Sequence, residues 1–201
     1  IEILSKLLNN CRESDRQIGI DLGMSGGAVN ARIRKMQKLE IIEEFFIKVE
    51  PPVLGYGILY FVVSGENMKE VLEQVSLIGE PHFVAPCVGG ITVCSIIVKE
   101  NLEQKIELAK KLMKDFQVLS IFEAENPGFN TNLTKTDLEI LEELIKEPRQ
   151  KIETIAKNTK MSTKTITRCI EKLQKNEGIQ FTTIYDPKKL RNLFRMQLLH
   201  G

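Results

Sequence analysis

Hydrophobic positions between residues 135 and 186 follow a helical period in three short runs and then change to the composition of a β-strand. The first run, which Thr136 can cap, ends before Pro148, and the second covers residues 152–159. The third opens at Ser162, a residue type suited to a helix N-cap. Its apolar positions are spaced by four and then three residues: Ile166, Ile170 and Leu173. Three short helices followed by a β-rich segment predict a winged helix-turn-helix.

The same pattern occurs at the start of the chain, at an offset of 137 residues. Without a gap, this offset aligns Arg12 with Arg149, and Met24-Ser25 with Met161-Ser162. An internal repeat of this kind indicates two copies of one structural module. Residues 1–50 and 135–186 are therefore each predicted to form a helix-turn-helix domain.

Residues 54–126 alternate between β-rich and helical patterns in the order β-α-β-β-α-β, which is typical of a ferredoxin-like domain. Gly89-Gly90 predicts a two-residue hairpin turn, and residues 127–134 predict a linker. Two pairs at capping-box spacing predict where the helices begin: Asn67 with Glu70, and Asn101 with Gln104. The predicted fold class is α+β, with a winged helix-turn-helix, a ferredoxin-like βαββαβ domain and a second winged helix-turn-helix.

The end of the chain repeats the start of the middle domain. After a one-residue deletion, Asp186-Pro187 aligns with Glu50-Pro51 and Leu190 with Leu54. Residues 187–201 are therefore predicted to begin a second, truncated ferredoxin-like domain. We expect the natural chain to continue beyond residue 201.

The composition, with 42% hydrophobic and 27% charged residues among 201, is that of a globular protein. No apolar run approaches the roughly 20 residues that cross a bilayer, so we expect a cytoplasmic protein without a membrane partner. The four cysteines are dispersed and have no neighbouring histidines. Neither a metal site nor a cofactor is expected.

The net charge of +1 conceals an uneven distribution, because residues 1–49, 50–127 and 128–201 carry +1, −5 and +5. A basic end favours binding to an anionic partner, and the helix-turn-helix pattern favours double-stranded DNA. We expect residues 25–39 and 162–177 to be recognition helices in the major groove, and the second copy to bind more strongly than the first. The predicted DNA-binding residues of the first copy are Ser25, Asn30, Arg32, Arg34, Lys35 and Lys38. Those of the second copy are Lys160, Ser162, Thr163, Lys164, Thr167, Arg168 and Lys172.

Residues 23–27 read Gly-Met-Ser-Gly-Gly and match G-x-S-x-G, the motif around the nucleophilic serine of hydrolases. The motif requires a preceding strand and histidine and acidic partners, whereas a helix precedes it here. The repeat copy retains Met161-Ser162 but replaces the three glycines, so the shared feature is the helix cap. We predict that the chain has no catalytic residues and is not an enzyme.

The architecture resembles the Lrp/AsnC family of prokaryotic transcription regulators. The residues that carry the resemblance are Ile18 through Ile42, the connection from Glu50-Pro51 to Leu54-Gly55, and the four-stranded middle. The resemblance implies a sequence-specific transcription regulator whose middle, RAM-type domain forms homodimers or higher assemblies. It also implies a small-molecule effector site at the hairpin, formed here by Gly89, Gly90, Ile91 and Thr92. Members with an effector commonly carry Gly-x-Tyr-Asp at this hairpin, and this chain lacks the aspartate.

A tandem chain can supply within itself the pairing of helix-turn-helix modules that a dimer supplies, with recognition helices roughly 34 Å apart. Two other functions remain open from the sequence. Siroheme decarboxylases have the same domain pairing, so an enzyme of that kind is one alternative. The other is an assembly protein that does not bind DNA and uses its repeats as interfaces.

Overall fold

The computed structural model describes residues 1–64 and 67–191, and the chain forms two compact units. One unit combines Ile1–Val49 with Leu133–Gly201, and the other is Glu50–Asn132. We call residues 1–49 the first module, residues 133–191 the second module and residues 50–132 the ferredoxin-like unit. Of residues 187–201, predicted to begin a second ferredoxin-like domain, residues 187–191 are helical and the rest lie outside the described residues.

The first module consists of α1 (Glu2–Asn9), α2 (Asp15–Leu22), α3 (Gly26–Lys38) and the wing strand β1 (Ile42–Val49). Ser14 and Ser25 cap α2 and α3, because each hydroxyl accepts a backbone N–H three residues ahead. The turn between these helices depends on Gly23, whose φ of 66° is left-handed. The module's core is formed by Ile3, Leu4, Leu7, Ile18, Val29, Ile33 and Ile42.

The ferredoxin-like unit begins with a 3-10 turn at Pro51–Leu54. It continues with β2 (Gly57–Ser64), α4 (Met68–Ile78), β3 (Glu80–Cys87), β4 (Ile91–Val98), α5 (Leu102–Leu112) and β5 (Gln117–Ala124). The antiparallel sheet has the order β3-β4-β2-β5, as the β-α-β-β-α-β pattern predicts. One face of the sheet packs with both helices around Leu59, Phe61, Val75, Ile96 and Met113.

One local prediction for this unit is wrong and another is confirmed in position only. Asn101 is the N-cap residue of α5, as predicted, but its side chain makes no cap hydrogen bond and its φ of 60° places its backbone in the left-handed region. The hairpin loop has three residues, Val88 to Gly90, because Cys87 pairs with Ile91. The Asn67 cap of α4 is confirmed, with its side chain accepting from the Glu70 backbone N–H.

The second module consists of α6 (Lys135–Lys146), α7 (Ile152–Thr159), α8 (Thr163–Gln174) and the wing strand β6 (Ile179–Tyr185). Thr134, rather than Thr136, caps α6. It forms a reciprocal capping box with Asp137. Helix α8 is shorter than predicted, since it ends at Gln174, before Gly178. As in the first module, hydroxyl side chains directly before the helices provide the N-caps of α6 and α8.

The wings of the two modules pair with each other in a two-stranded antiparallel sheet. Phe45 lies opposite Thr183 and Phe46 opposite Thr182. With the offset of 137, Thr182 and Thr183 are the repeat equivalents of Phe45 and Phe46. Each module thus presents the same positions to the other, as in an isologous dimer with an approximate two-fold axis.

Candidate nucleic-acid interface

Helix α8 presents a cationic face because its opposite face is held in the core. Ile166, Ile170 and Leu173 are buried, whereas Lys164 and Arg168 are exposed. Ser162 fixes the start of the helix by accepting the Thr165 backbone N–H at 3.1 Å. Within residues 1–64 and 67–191, neither Lys164 nor Arg168 forms a hydrogen bond or ion pair with the protein. Both charges are available to an anionic partner.

Lys172 behaves differently, because its ammonium group pairs with Asp137 of α6. Burial raises the pKa of Asp137, but hydrogen bonds from Lys172 and from the backbone and hydroxyl of Thr134 outweigh that effect and bring it to about 2. Burial and the neighbouring Asp137 raise the pKa of the Cys169 thiol to about 12. The structure thus places Lys172 in a pairing that ties the recognition helix to α6.

Two other predicted residues of the second module also serve local structure. The Thr167 hydroxyl donates to the Thr163 backbone carbonyl at 2.9 Å and so serves the helix itself. The Thr163 side chain is exposed at the start of α8. Lys160 ends α7 in the left-handed conformation, with a φ of 57° and an exposed side chain.

Helix α3 offers fewer side chains for DNA contact at its start than helix α8 does. It begins with Gly26 and Gly27, which offer no side chains, and the Ser25 hydroxyl accepts the Ala28 backbone N–H at 3.1 Å. Four of the predicted basic side chains are exposed along it: Arg32, Arg34, Lys35 and Lys38. The Arg32 guanidinium lies 3.2 Å from the Met24 sulfur, at the side of the helix rather than on its outer face.

Asn30 of α3 is held by a chain of polar contacts that reaches the second module. Its amide Nδ2 donates to Asp15 Oδ2 at 2.7 Å, and Asp15 Oδ1 accepts from Arg149 Nη2 at 2.6 Å. The Arg149 guanidinium also lies 5.1 Å from the centre of the Phe45 ring. A residue outside the first module therefore orients a side chain on its recognition helix.

A second arginine makes the equivalent contact in the opposite direction. Arg12 donates to the carbonyls of Pro148 and Gln150, and Arg149 donates to the Cys11 carbonyl at 2.9 Å. Burial lowers the pKa of the Arg12 guanidinium. Because Cys11 and Pro148 are repeat equivalents, the two arginines form a reciprocal clasp between the modules.

The sequence did not predict that Arg12 and Arg149 join the two modules. Their alignment at the offset of 137 was nevertheless a signal, because it places an arginine in the loop after the first helix of both modules. Arg16 was also missed. It is exposed in the first turn of α2, where its backbone lies next to Gly26. It adds a cation beside the start of α3.

The predicted effector residues occupy the hairpin between β3 and β4. Gly89 and Gly90 have φ values of 86° and 70°, and Val88 before them is 99% exposed. Ile91 is half-buried, but Thr92 is only 1% exposed and faces the core. An effector site at this hairpin stays a prediction. Thr92 is buried below the protein surface there.

Three further features of the described residues were singled out by the sequence or bear on a membrane. Ser25, the serine of the G-x-S-x-G match, is the N-cap of α3. In this part of the chain no helix is long and apolar enough to cross a bilayer. His82 is exposed on β3, at the edge of the sheet.

Comparison with known proteins gives the same class of protein. A winged helix-turn-helix DNA-binding family model matches residues 1–43 and again residues 133–179. The chain is 30% identical over 106 residues to the HTH-type transcriptional regulator Ptr1 of Methanocaldococcus jannaschii, a match covering 51% of this chain and 72% of Ptr1. It is 34% identical over 92 residues to the uncharacterized HTH-type transcriptional regulator PH1916 of Pyrococcus horikoshii, covering 41% of this chain and 61% of that protein.

The fold is also similar to the crystal structure of the siroheme decarboxylase NirDL, with a TM-score of 0.57 and 14% identity. That similarity covers 91% of this chain and 64% of NirDL, so this chain spans about two thirds of that protein. It describes the fold alone.

A winged helix-turn-helix joined to a βαββαβ domain, in a relative of HTH-type regulators, defines a DNA-binding transcription regulator. The chain belongs to the family of HTH-type transcriptional regulators that includes Ptr1.

Proposed function

We infer that the chain regulates transcription by placing α3 and α8 in the major groove of double-stranded DNA, with the second module as the stronger contact. The observation that carries this inference is the exposed pair Lys164 and Arg168, whose charges have no protein partner within residues 1–64 and 67–191. Thr163 beside them supplies a hydroxyl for base edges or phosphates. The first module contributes the exposed side chains of Arg34, Lys35 and Lys38.

The paired wings support joint binding by both modules. The approximate two-fold relation of β1 and β6 presents two equivalent recognition helices, as a dimeric regulator does. The Arg12 and Arg149 clasp ties these two modules through buried and half-buried contacts. A single chain can therefore address a site with approximate two-fold symmetry.

A titration of the full chain with duplex DNA at two salt concentrations tests the proposal. We expect binding that weakens steeply as salt rises, because Lys and Arg contacts to phosphates release condensed counterions. Fragments from the region upstream of the gene are the first DNA to use, with a random duplex of equal length as the control. Absence of salt-dependent binding to any duplex would contradict the function.

The ferredoxin-like unit supplies an assembly face in this proposal. One row across its sheet places Phe83, Ser95, Tyr60 and Phe122 side by side, with the Tyr60 and Phe122 rings stacked at 5.4 Å. Phe83 and Phe122 are 47% and 46% exposed, so an uncharged aromatic surface is available to a second copy of the sheet. We expect a homodimer or higher assembly by light scattering, and Phe122→Glu to lower its mass.

The same DNA titration distinguishes the proposed regulator from the alternative of a decarboxylase enzyme. A decarboxylase of this fold would bind a tetrapyrrole and need not bind DNA with a steep salt slope. The sequence relatives named as regulators favour DNA, since the likeness to NirDL is one of fold. A chain that binds no DNA but changes the absorption spectrum of an added iron porphyrin would reverse this order.

A further inference from the structure

We propose that Asp15, braced by Arg149 of the second module, fixes the Asn30 amide as a reader of adenine on the first recognition helix. The proposal rests on the DNA contact of α3 inferred above and adds a specificity for it. It assigns Asn30 the base contact and Asp15 and Arg149 the positioning roles. The second module would then influence which sequence the first module prefers.

The orientation of the Asn30 amide follows from the chemistry of its neighbour. A carboxylate only accepts hydrogen bonds, so the amide nitrogen, and not its oxygen, must face Asp15. The observed Nδ2 to Oδ2 distance is 2.7 Å. This contact uses one of the two N–H groups of the amide. Oδ1 and the second N–H remain for another partner.

An acceptor oxygen beside one N–H donor matches the major-groove edge of adenine. Adenine presents its N6 amino donor next to its N7 acceptor, and asparagine makes a bidentate pair with these two atoms. Guanine presents two acceptors at the same place and leaves Oδ1 without a donor. A free amide can turn both of its N–H groups toward those two acceptors, whereas an amide with one N–H held by Asp15 cannot, so the held amide discriminates more strongly between the two purines.

Arg149 stops Asp15 from turning away. It donates to the carboxylate at 2.6 Å, and it is anchored by the Cys11 carbonyl and the Phe45 ring. The Arg149 and Asp15 side chains are only 21% and 22% exposed, so water competes little for this pair. The amide, the carboxylate and the guanidinium form one continuous arrangement.

The start of α3 leaves room for a base to approach Asn30. Gly26 packs against the backbone of Arg16 in α2, but a Cβ placed at Gly27 would have no neighbour within 4 Å, so the helix is open at Gly27. The second module has no equivalent arrangement. Ile152 and Thr167 occupy the positions of Asp15 and Asn30, and the Thr167 hydroxyl is bonded to its own helix. The adenine reader belongs to the first module alone.

Selection of bound duplexes from a randomised pool, with the full chain, tests the inference. We expect the wild type to prefer adenine by about 5- to 100-fold at one position of its site. Asn30→Ala removes that preference, and Asp15→Asn, which keeps the size of the side chain, lowers it to about twofold because the Asn30 amide is then free to turn both N–H groups toward guanine. Arg149→Met lowers it partly.

Arg12→Met is the matched control, because Arg12 makes the reciprocal clasp without touching the recognition helix. It should keep the adenine preference even where it weakens binding, and thermal melts establish that each variant is folded. An adenine preference that survives Asp15→Asn, or that Arg12→Met removes as fully as Arg149→Met, would overturn the positioning role. A wild type that binds DNA without any preference sensitive to Asn30 overturns the inference and leaves the proposed function intact. A wild type that binds no duplex overturns both.

Discussion

The two modules have the same helices and caps, yet they differ in the residues that surround their recognition helices. Helix α3 begins with two glycines and carries an asparagine held by Asp15, whereas α8 begins with Thr163 and Lys164 and is tied to α6 through Lys172 and Asp137. One helix offers an oriented amide and the other offers exposed charges without a protein partner among the described residues. In the function proposed above, the first copy would supply specificity and the second affinity.

The largest expected effect is the loss of cations from the second module. Replacing Lys164 and Arg168 together with alanine should weaken DNA binding by roughly 10- to 100-fold and reduce the salt slope by about 2, since each residue neutralises one phosphate. The matched change, Arg34→Ala with Lys38→Ala, should cost less than about tenfold. Glu43 and Glu44, exposed at the end of the first module, already oppose DNA there.

A fluorescence titration at two salt concentrations measures both pairs. If the two double variants lose affinity equally, the division between an anchoring module and a reading module is wrong.

The pairing of Asp137 with Lys172 should make the stability of the second module depend on pH through a buried carboxylate. The folded-state pKa of Asp137, about 2, lies below its ordinary value of 3.8. The contribution of this lowered pKa to the free energy of unfolding is therefore complete above about pH 4 and is lost as the pH falls toward 2. It amounts to about 2 kcal/mol for this nearly buried side chain.

Asp137→Asn should lower the free energy of unfolding by about that amount at pH 7 and by less than about 0.5 kcal/mol at pH 2. Denaturant melts across this range measure the difference. A gap between the two proteins that persists at pH 2 would show that Asp137 acts through packing instead.

The sequence predicted the elements well where local signals agree, and failed where the outcome depends on the fold. Ser14, Ser25 and Ser162 cap the predicted helices, because the cap and the hydrophobic period point to the same boundary. The cap of α6 was assigned to Thr136, since Thr134 and Thr136 are both suitable residue types and only the Asp137 contact selects one.

The candidate site was predictable in composition but not in arrangement. Exposed Lys164 and Arg168 follow from helical periodicity alone. The Arg149–Asp15–Asn30 contacts join residues 134 and 15 positions apart, and they exist because the wings pair. Periodicity carries no information on contacts that depend on how two modules dock.

The turn between the second and third helices gives a smaller difference between the modules. A Cβ added at Gly19 would lie 2.5 Å from the Met24 backbone oxygen, so Gly19→Ala must shift the turn. We expect it to lower the free energy of unfolding by about 1.5 kcal/mol. The second module has Ala156 at the equivalent position, and Ala156→Gly should cost only about 0.5 to 1 kcal/mol through helix propensity.

Denaturant unfolding of both variants measures these costs. A Gly19→Ala protein as stable as the wild type would mean that the close approach of Gly19 to the Met24 carbonyl is not required for stability.

The smallest expected difference is at the recognition-helix caps, where the modules should be equal. Ser25 and Ser162 each accept a backbone N–H at 3.1 Å, and both side chains are exposed. Ser25→Ala and Ser162→Ala should each lower the free energy of unfolding by about 1 kcal/mol, because each leaves one N–H of the first turn without its acceptor. The corresponding Ser→Asp variants, which retain an acceptor, serve as controls and should be close to wild type. Unequal losses for the two alanine variants, beyond about 0.5 kcal/mol, would mean that the shared serine has a second role in one module. In that case the first place to look is the Ser162 hydroxyl, which also lies 2.9 Å from the hydroxyl of Thr165, a contact that Ala28 cannot make in the first module.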